Sequence, residues 1–160
     1  MSTHVSPKDP LLSPFAMGNR VIKNRIFSSG HALSHAVNGR ATRTTLNYQK
    51  EKALGGIGLS FVGGSGTVSP DTAPVFDQFV IDDDIVPFFQ ELSAFYHRHD
   101  ALLMTQITHL GRRTNSNTGE WLPIVAPSAI RETLHRGFPR EMDEADILRI
   151  VEDFGSAAKR

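Results

Sequence analysis

The sequence predicts an α/β fold built on a parallel sheet, and three observations carry that reading. Short apolar runs alternate three times with helical segments, a hairpin signal precedes the first run, and the third run ends in a polar cluster. The predicted strands span residues 25 to 29, 57 to 62 and 101 to 106, each of a length suited to a buried strand. The third leads into Gln106-Ile107-Thr108-His109-Leu110-Gly111-Arg112-Arg113. An amide, an imidazole and a guanidinium thus stand at the carboxyl end of a strand, where parallel α/β folds keep their ligands.

Each element has a local cause. Leu11 to Phe15 and Arg20 to Asn24 flank Gly18-Asn19, a two-residue turn signal. After the first strand and Gly30-His31-Ala32, either Thr42 or Thr44 is a plausible N-cap for a helix near 43 to 54 carrying Leu46, Tyr48, Gln49 and Ala53, with a stop at Gly55-Gly56. The second strand has an interior Gly58 and runs into Gly63-Gly64-Ser65-Gly66, which reads as a loop that would let a flat ring approach the backbone. It is not a phosphate-binding loop, because no lysine follows the glycines and no helix opens there.

Asp82-Asp83-Asp84 precedes a helix near 84 to 98 whose Ile85, Phe88, Phe89, Leu92, Phe95 and Tyr96 form one stripe. Acids favour its amino end, and His97-Arg98-His99 suits its carboxyl end. Thr114 to Glu141 is predicted as a long irregular loop holding Trp121 and Pro123, Pro127 and Pro139. Asp143 then caps a helix near 144 to 158 with Ile147, Ile150, Val151 and Phe154 on its inner face.

Seventeen basic and seventeen acidic residues cancel, which leaves no electrostatic case for nucleic acid or an acidic membrane surface. No apolar stretch approaches a membrane span, and no membrane partner is expected. The absence of cysteine excludes disulfides and thiolate metal or iron–sulfur sites within the chain, and no other metal-ligand set is evident. Residues 1 to 10 are polar, are expected to be a flexible N-terminus, and lack the apolar segment of a signal peptide; a cytoplasmic location is the expectation.

The pattern Gln106-x-x-His109-x-Gly111-Arg112 after a strand resembles the third-strand motif of the Old Yellow Enzyme and NADH:flavin oxidoreductase family. Leu11-x-x-Pro14-Phe15-x-x-Gly18, followed by Ile22-Lys23-Asn24-Arg25, is similar to the way that family begins, and Ala126-Pro127-Ser128-Ala129-Ile130 matches a short segment common in it at this place. The resemblance covers nearly the whole chain. It implies the N-terminal portion of a (β/α)8 TIM barrel, about three βα units plus the hairpin, with 11 to 160 a partial FMN-binding barrel domain ending before a fourth strand. A complete barrel needs roughly 250 residues.

The resemblance also implies roles. Gln106 would hold the pyrimidine edge of FMN, Ser29, Gly30, His31 and Ala32 would line one flank, and Gly64 would allow close approach. His31 and His109 are the candidate catalytic residues shaping the substrate side, and Arg112, expected inward while Arg113 faces outward, is the candidate substrate-binding residue. On spacing alone, Gln106 is as well explained by satisfying loop backbone groups, each histidine by a hydrogen-bonded loop role, and Gly63 to Gly66 by a plain turn.

The implied activity is that of an FMN-dependent oxidoreductase working by hydride transfer. Ser29 to Ala32, Gln106 to Arg113 and Ile130-Arg131-Glu132 are most similar to the branch that oxidatively demethylates small N-methylated amines such as dimethylglycine or betaine derivatives. Reduction of a 2,4-dienoyl-CoA or another enoate is the alternative. From another class, a non-catalytic fragment or partner-binding α/β domain would need its exposed strand edge covered. NAD(P)H is the candidate electron donor, and an Fe–S cluster enters only if cysteines lie beyond Arg160. The expected partners are a small-molecule substrate and either further copies in a homo-oligomer or the remainder of the barrel. Two departures stand out. Ala32 replaces the cysteine that attaches flavin in trimethylamine dehydrogenases, and Gly64 replaces an aromatic residue of their amine-binding bowl.

Overall fold

The computed structural model describes residues 9–72, 79–114, 123–134 and 137–160. A 3-10 turn, Pro10–Leu12, leads into the hairpin, β1 (Phe15–Met17) antiparallel to β2 (Arg20–Ile22), closed by the Met17–Arg20 pair. Gly18 takes φ +58°, which a residue with a Cβ adopts only at a cost. Asn24 then ties the hairpin to the sheet, its Nδ2 donating to Gly56 O at 2.8 Å while its Oδ1 accepts from Ile26 N at 3.1 Å.

Three parallel strands follow in the order β3 (Phe27–Ser28), β4 (Leu59–Thr67), β5 (Leu102–Thr108). They are the predicted strands with different ends. β3 is shorter than 25 to 29, because only Phe27 and Ser28 pair, with Leu59 and Ser60. β4 is longer than 57 to 62 and absorbs the Gly63 to Gly66 run that was expected as a loop. The physical reason is a bulge: Val62 faces Thr105 and Gly66 faces Ile107, so residues 63 to 65 stand opposite Gln106 alone.

Helix α1 (Arg43–Leu54) starts from Thr42, whose hydroxyl caps Thr45 N in a reciprocal capping box, and gives way to Gly56 at φ +85°. Helix α2 (Val86–Arg98) is preceded by a 3-10 turn, Asp83–Ile85, capped by the Asp82 side chain. Arg40 meets Asp82 at 2.6 Å and Asp84 at 3.1 Å, which fastens the loop after β3 to that turn. Helix α3 (Glu144–Lys159) is capped by Asp143 with Asp146 as the reciprocal partner.

One apolar cluster draws Leu46 and Ala53 from α1, Val62 from β4, Leu92 and Tyr96 from α2, and Ala157 from α3, so the helices share one face of the sheet. The predicted α2 stripe lies wholly in or against it. Val62, Leu92 and Tyr96 are fully buried, each contributing about 1.5 to 3 kcal/mol over an exposed position. Within this core Gln49 accepts from Ser60 Oγ at 3.3 Å, and its carbonyl accepts from the Tyr96 hydroxyl at 2.8 Å. The opposite sheet face is open: Phe27 is 61% and Met104 42% exposed.

Three expectations need correction here. Of the α1 residues named with Leu46, Gln49 and Ala53, which are buried, Tyr48 is exposed, its ring turned to the loop after β3. Of the inner face expected for α3, Phe154 packs on the core, whereas Ile147 and Val151 are exposed along with Leu148. The periodicity marks an apolar stripe wider than the sheet beneath it can cover. The third concerns the long loop, which is not wholly irregular: β6 (Val125–Ala126) pairs in parallel with β7 (Arg140–Glu141). Trp121 lies outside the described residues.

Two substitutions test this architecture. Gly58→Ala would put a Cβ 2.6 Å from both Asn24 O and Ile22 Cγ2, forcing hairpin and sheet apart at a cost of about 1 to 3 kcal/mol. A thermal melt is expected to show a lower midpoint than that of the parent chain. Asp143→Ala removes a cap worth about 1 kcal/mol, a shift of roughly 2 to 4 °C in a chain of this size. An unchanged midpoint in either variant would contradict the packing given for it.

Candidate functional site

The bulge in β4 determines what meets at the carboxyl ends of the strands. Gly63 adopts φ +69°, and its carbonyl comes so close to Gly30 that a Cβ there would sit 2.6 Å from Gly63 O and 3.1 Å from Gln106 Oε1. A Cβ on Gly64 would lie 3.0 Å from both Ala32 N and His31 C. The two glycines therefore form a cradle in which segment 30–32 touches the bulge directly, with the Gln106 amide at its rim. Gln106 is exposed, so its donors and acceptor are presented rather than absorbed by the fold.

His31 stands on this cradle with a defined proton arrangement. Its Nδ1 lies 3.0 Å from Ser29 O, a pure acceptor, so Nδ1 carries the hydrogen and the neutral ring accepts from Tyr48 O–H at Nε2, 2.9 Å away. Lys52, one turn further along α1, places its ammonium 4.7 Å from the Tyr48 ring centroid and donates to Ser28 Oγ at 2.8 Å. Burial pushes the Lys52 ammonium below the usual lysine range. Neither Tyr48 nor Lys52 was singled out for the site from the sequence.

Of the expected site residues, Ser29, Gly30, His31, Ala32, Gly64 and Gln106 come together in this way. His109 is held elsewhere. Its side chain is 7% exposed, its Nε2 lies 3.0 Å from Asp71 Oδ1, and its Nδ1 is 3.1 Å from Gly111 N. Arg112 and Arg113 share the 3-10 turn Gly111–Arg113 and are both exposed, so burial does not separate an inward from an outward guanidinium.

Asp71 was not anticipated either. It receives Arg149 Nη2 on Oδ2 at 2.5 Å, with Ser69 Oγ 2.7 Å from Oδ1. Burial works to raise the Asp71 carboxyl and is the largest single influence, yet bonds from Ser69, Arg149 and His109 together hold it below the usual carboxylate range.

A family model described as NADH:flavin oxidoreductase / NADH oxidase matches residues 10–160. A multifunctional alkene reductase/demethylase OYE of Caballeronia cordobensis is 46% identical over 95% of this chain and 23% of its own length. A probable N-methylproline demethylase of Rhizobium meliloti is 41% identical over 96% of this chain and 23% of its own. In the solved structure of an old yellow enzyme homologue from Zymomonas mobilis, 94% of this chain superposes on 44% of that one with a TM-score of 0.81 at 23% identity. This chain thus spans less than a quarter of those two curated relatives, and its three βα units are part of a TIM barrel. On its sequence and its fold alike, the chain belongs to the NADH:flavin oxidoreductase / NADH oxidase family.

Proposed function

We propose that the chain supplies the flank and pyrimidine-edge contacts of an FMN site, in an oxidoreductase that demethylates a small N-methylated amino acid. The observation that carries this reading is the exposed Gln106 amide at the strand end, beside a segment 30–32 that is seated by main-chain contact at Gly30 and Gly64. An amide presented in this way suits the edge of a flat ring with alternating donors and acceptors. The names borne by the two relatives, alkene reductase/demethylase and N-methylproline demethylase, support the substrate class.

When bound, FMN would supply the two-electron redox chemistry, accepting hydride from the substrate or from NAD(P)H. The residues of this chain would supply one part of the site around it. Gln106 offers one acceptor and two donors to the pyrimidine edge. The Tyr48 hydroxyl donates to His31 Nε2 while His31 Nδ1–H donates to Ser29 O, so the ring is fixed in orientation beside the cradle. The exposed Arg112 guanidinium is the group that would pair with an amino acid carboxylate, a bidentate match in geometry and charge. Reduction of an activated alkene is the second reading, favoured by the first relative's name, which joins both activities.

FMN titration followed by flavin fluorescence tests the cofactor assignment. The contacts proposed here are neutral hydrogen bonds and packing, about 1 kcal/mol each, so the 160-residue chain alone is expected to bind FMN weakly. Joined to the remaining length of the alkene reductase/demethylase relative, it is expected to bind tightly, and Gln106→Leu to weaken that binding roughly tenfold to a hundredfold, about 1 to 3 kcal/mol. Nanomolar binding by the chain alone, or full retention of flavin by the Gln106→Leu chimera, would overturn these assignments.

The substrate class has its own test. Incubating the chimera with N-methylproline is expected to release formaldehyde, and Arg112→Met to raise the KM while leaving kcat nearly unchanged. An unaffected KM would remove Arg112 from the carboxylate role.

A further inference from the structure

We infer that Asp71 is a positioning residue for the Gln106 to Arg113 segment: clamped by Arg149 from α3, its carboxylate fixes His109 as the Nε2–H imidazole and thereby sets the path of the chain leaving β5. The proton assignment follows from the donors. Gly111 N–H can only donate, and it points at His109 Nδ1 from 3.1 Å, so Nδ1 must present its lone pair. The ring hydrogen of neutral His109 is then on Nε2 and is donated to Asp71 Oδ1 at 3.0 Å. An imidazolium would set a second N–H against that of Gly111, so the bent segment 109–111 and the neutral ring require each other.

Asp71 is in turn fixed from two sides. Arg149 Nη2 meets its Oδ2 at 2.5 Å, and Arg149 Nη1 lies 2.7 Å from Ser69 Oγ, whose hydroxyl is also within 2.6 Å of Asp153 Oδ2. Arg149 and Asp153 both belong to α3, with Asp146 at 3.8 Å from the same guanidinium. Two more bonds run along the same seam, Val68 N to Thr108 O at 3.1 Å and Leu110 N to Thr72 Oγ1 at 2.9 Å. Residues 68 to 72 thus hold 108 to 111 at three points, and Asp71 joins one of these points directly to α3 through Arg149.

The inference rests on the flavin reading only for the identity of the ligand that the segment serves. Its test therefore uses the full chain without cofactor. In chain labelled with 15N at histidine, the His109 ring signals are expected to be those of the neutral Nε2–H form. Asp71→Ala is expected to convert them to a mixture of both tautomers, to speed exchange of the Gly111 amide hydrogen at least tenfold, and to shift the Gln106 side-chain amide resonances. Asp71→Ser, whose hydroxyl is too short to reach His109, is expected to behave alike and serves if the alanine variant does not fold. An Nδ1–H ring in the parent chain, or an unchanged tautomer and Gly111 exchange in a folded variant, would overturn the proposal. Failure of the flavin reading would look different: full retention of flavin by the Gln106→Leu chimera, with the His109 result intact.

Discussion

The local mismatch between β4 and β5, three residues of one strand set against Gln106 of the other, is the constraint on which the strand ends depend. A regular ladder would carry β4 straight past segment 29–32. The bulge instead throws the Gly63 carbonyl toward Gly30 and brings Gly64 under His31 and Ala32, and it leaves Gln106 without a directly opposed residue. Glycine is needed at these positions because two stretches of main chain approach more closely than any Cβ allows. The freedom that looks like flexibility in the sequence is used here for contact.

A second layer of organisation is electrostatic. The loops after β3 and β4 are each fastened by an arginine from a distant part of the chain or to one: Arg40 to Asp82 and Asp84, Arg149 to Asp71. The first pair is half-exposed and contributes little by itself. In the second, the Asp71 side chain is only 10% exposed, and an unpaired carboxylate at that burial would be costly. Helix α3 therefore reaches past its packing face into the polar seam at the strand ends.

Most of the architecture was legible in the sequence because its causes are local. The hairpin turn at Gly18-Asn19, the Thr42 and Asp143 caps and the α2 stripe each depend on residues a few positions apart. The ends of β3 and β4 were not legible, since they are set by pairing between residues far apart in the chain, Phe27 with Leu59 and Val62 with Thr105, and by a bulge that hydrophobic periodicity does not register. The convergence of Gly30, Gly64 and Gln106 was reachable through the family motif. The engagement of His109 was not, because its partner Asp71 is 38 residues away in a polar stretch with no periodic signal. In α3 the pattern marked residues suited to burial, and only the fold could say that Phe154 and Ala157 find cover while Ile147 and Val151 do not.

Among the described residues β5 is an outer strand of its sheet, bordered by a groove that it forms with α2 and α3. The groove at that edge is lined by Leu103, Thr105 and Ile107 of β5 and by Ala157 and Ala158 of α3. An uncovered strand edge beside an apolar helix face is a template onto which another extended segment adds, whatever its sequence. A segment that paired along that border would continue the parallel ladder that runs from β3 through β4 to β5.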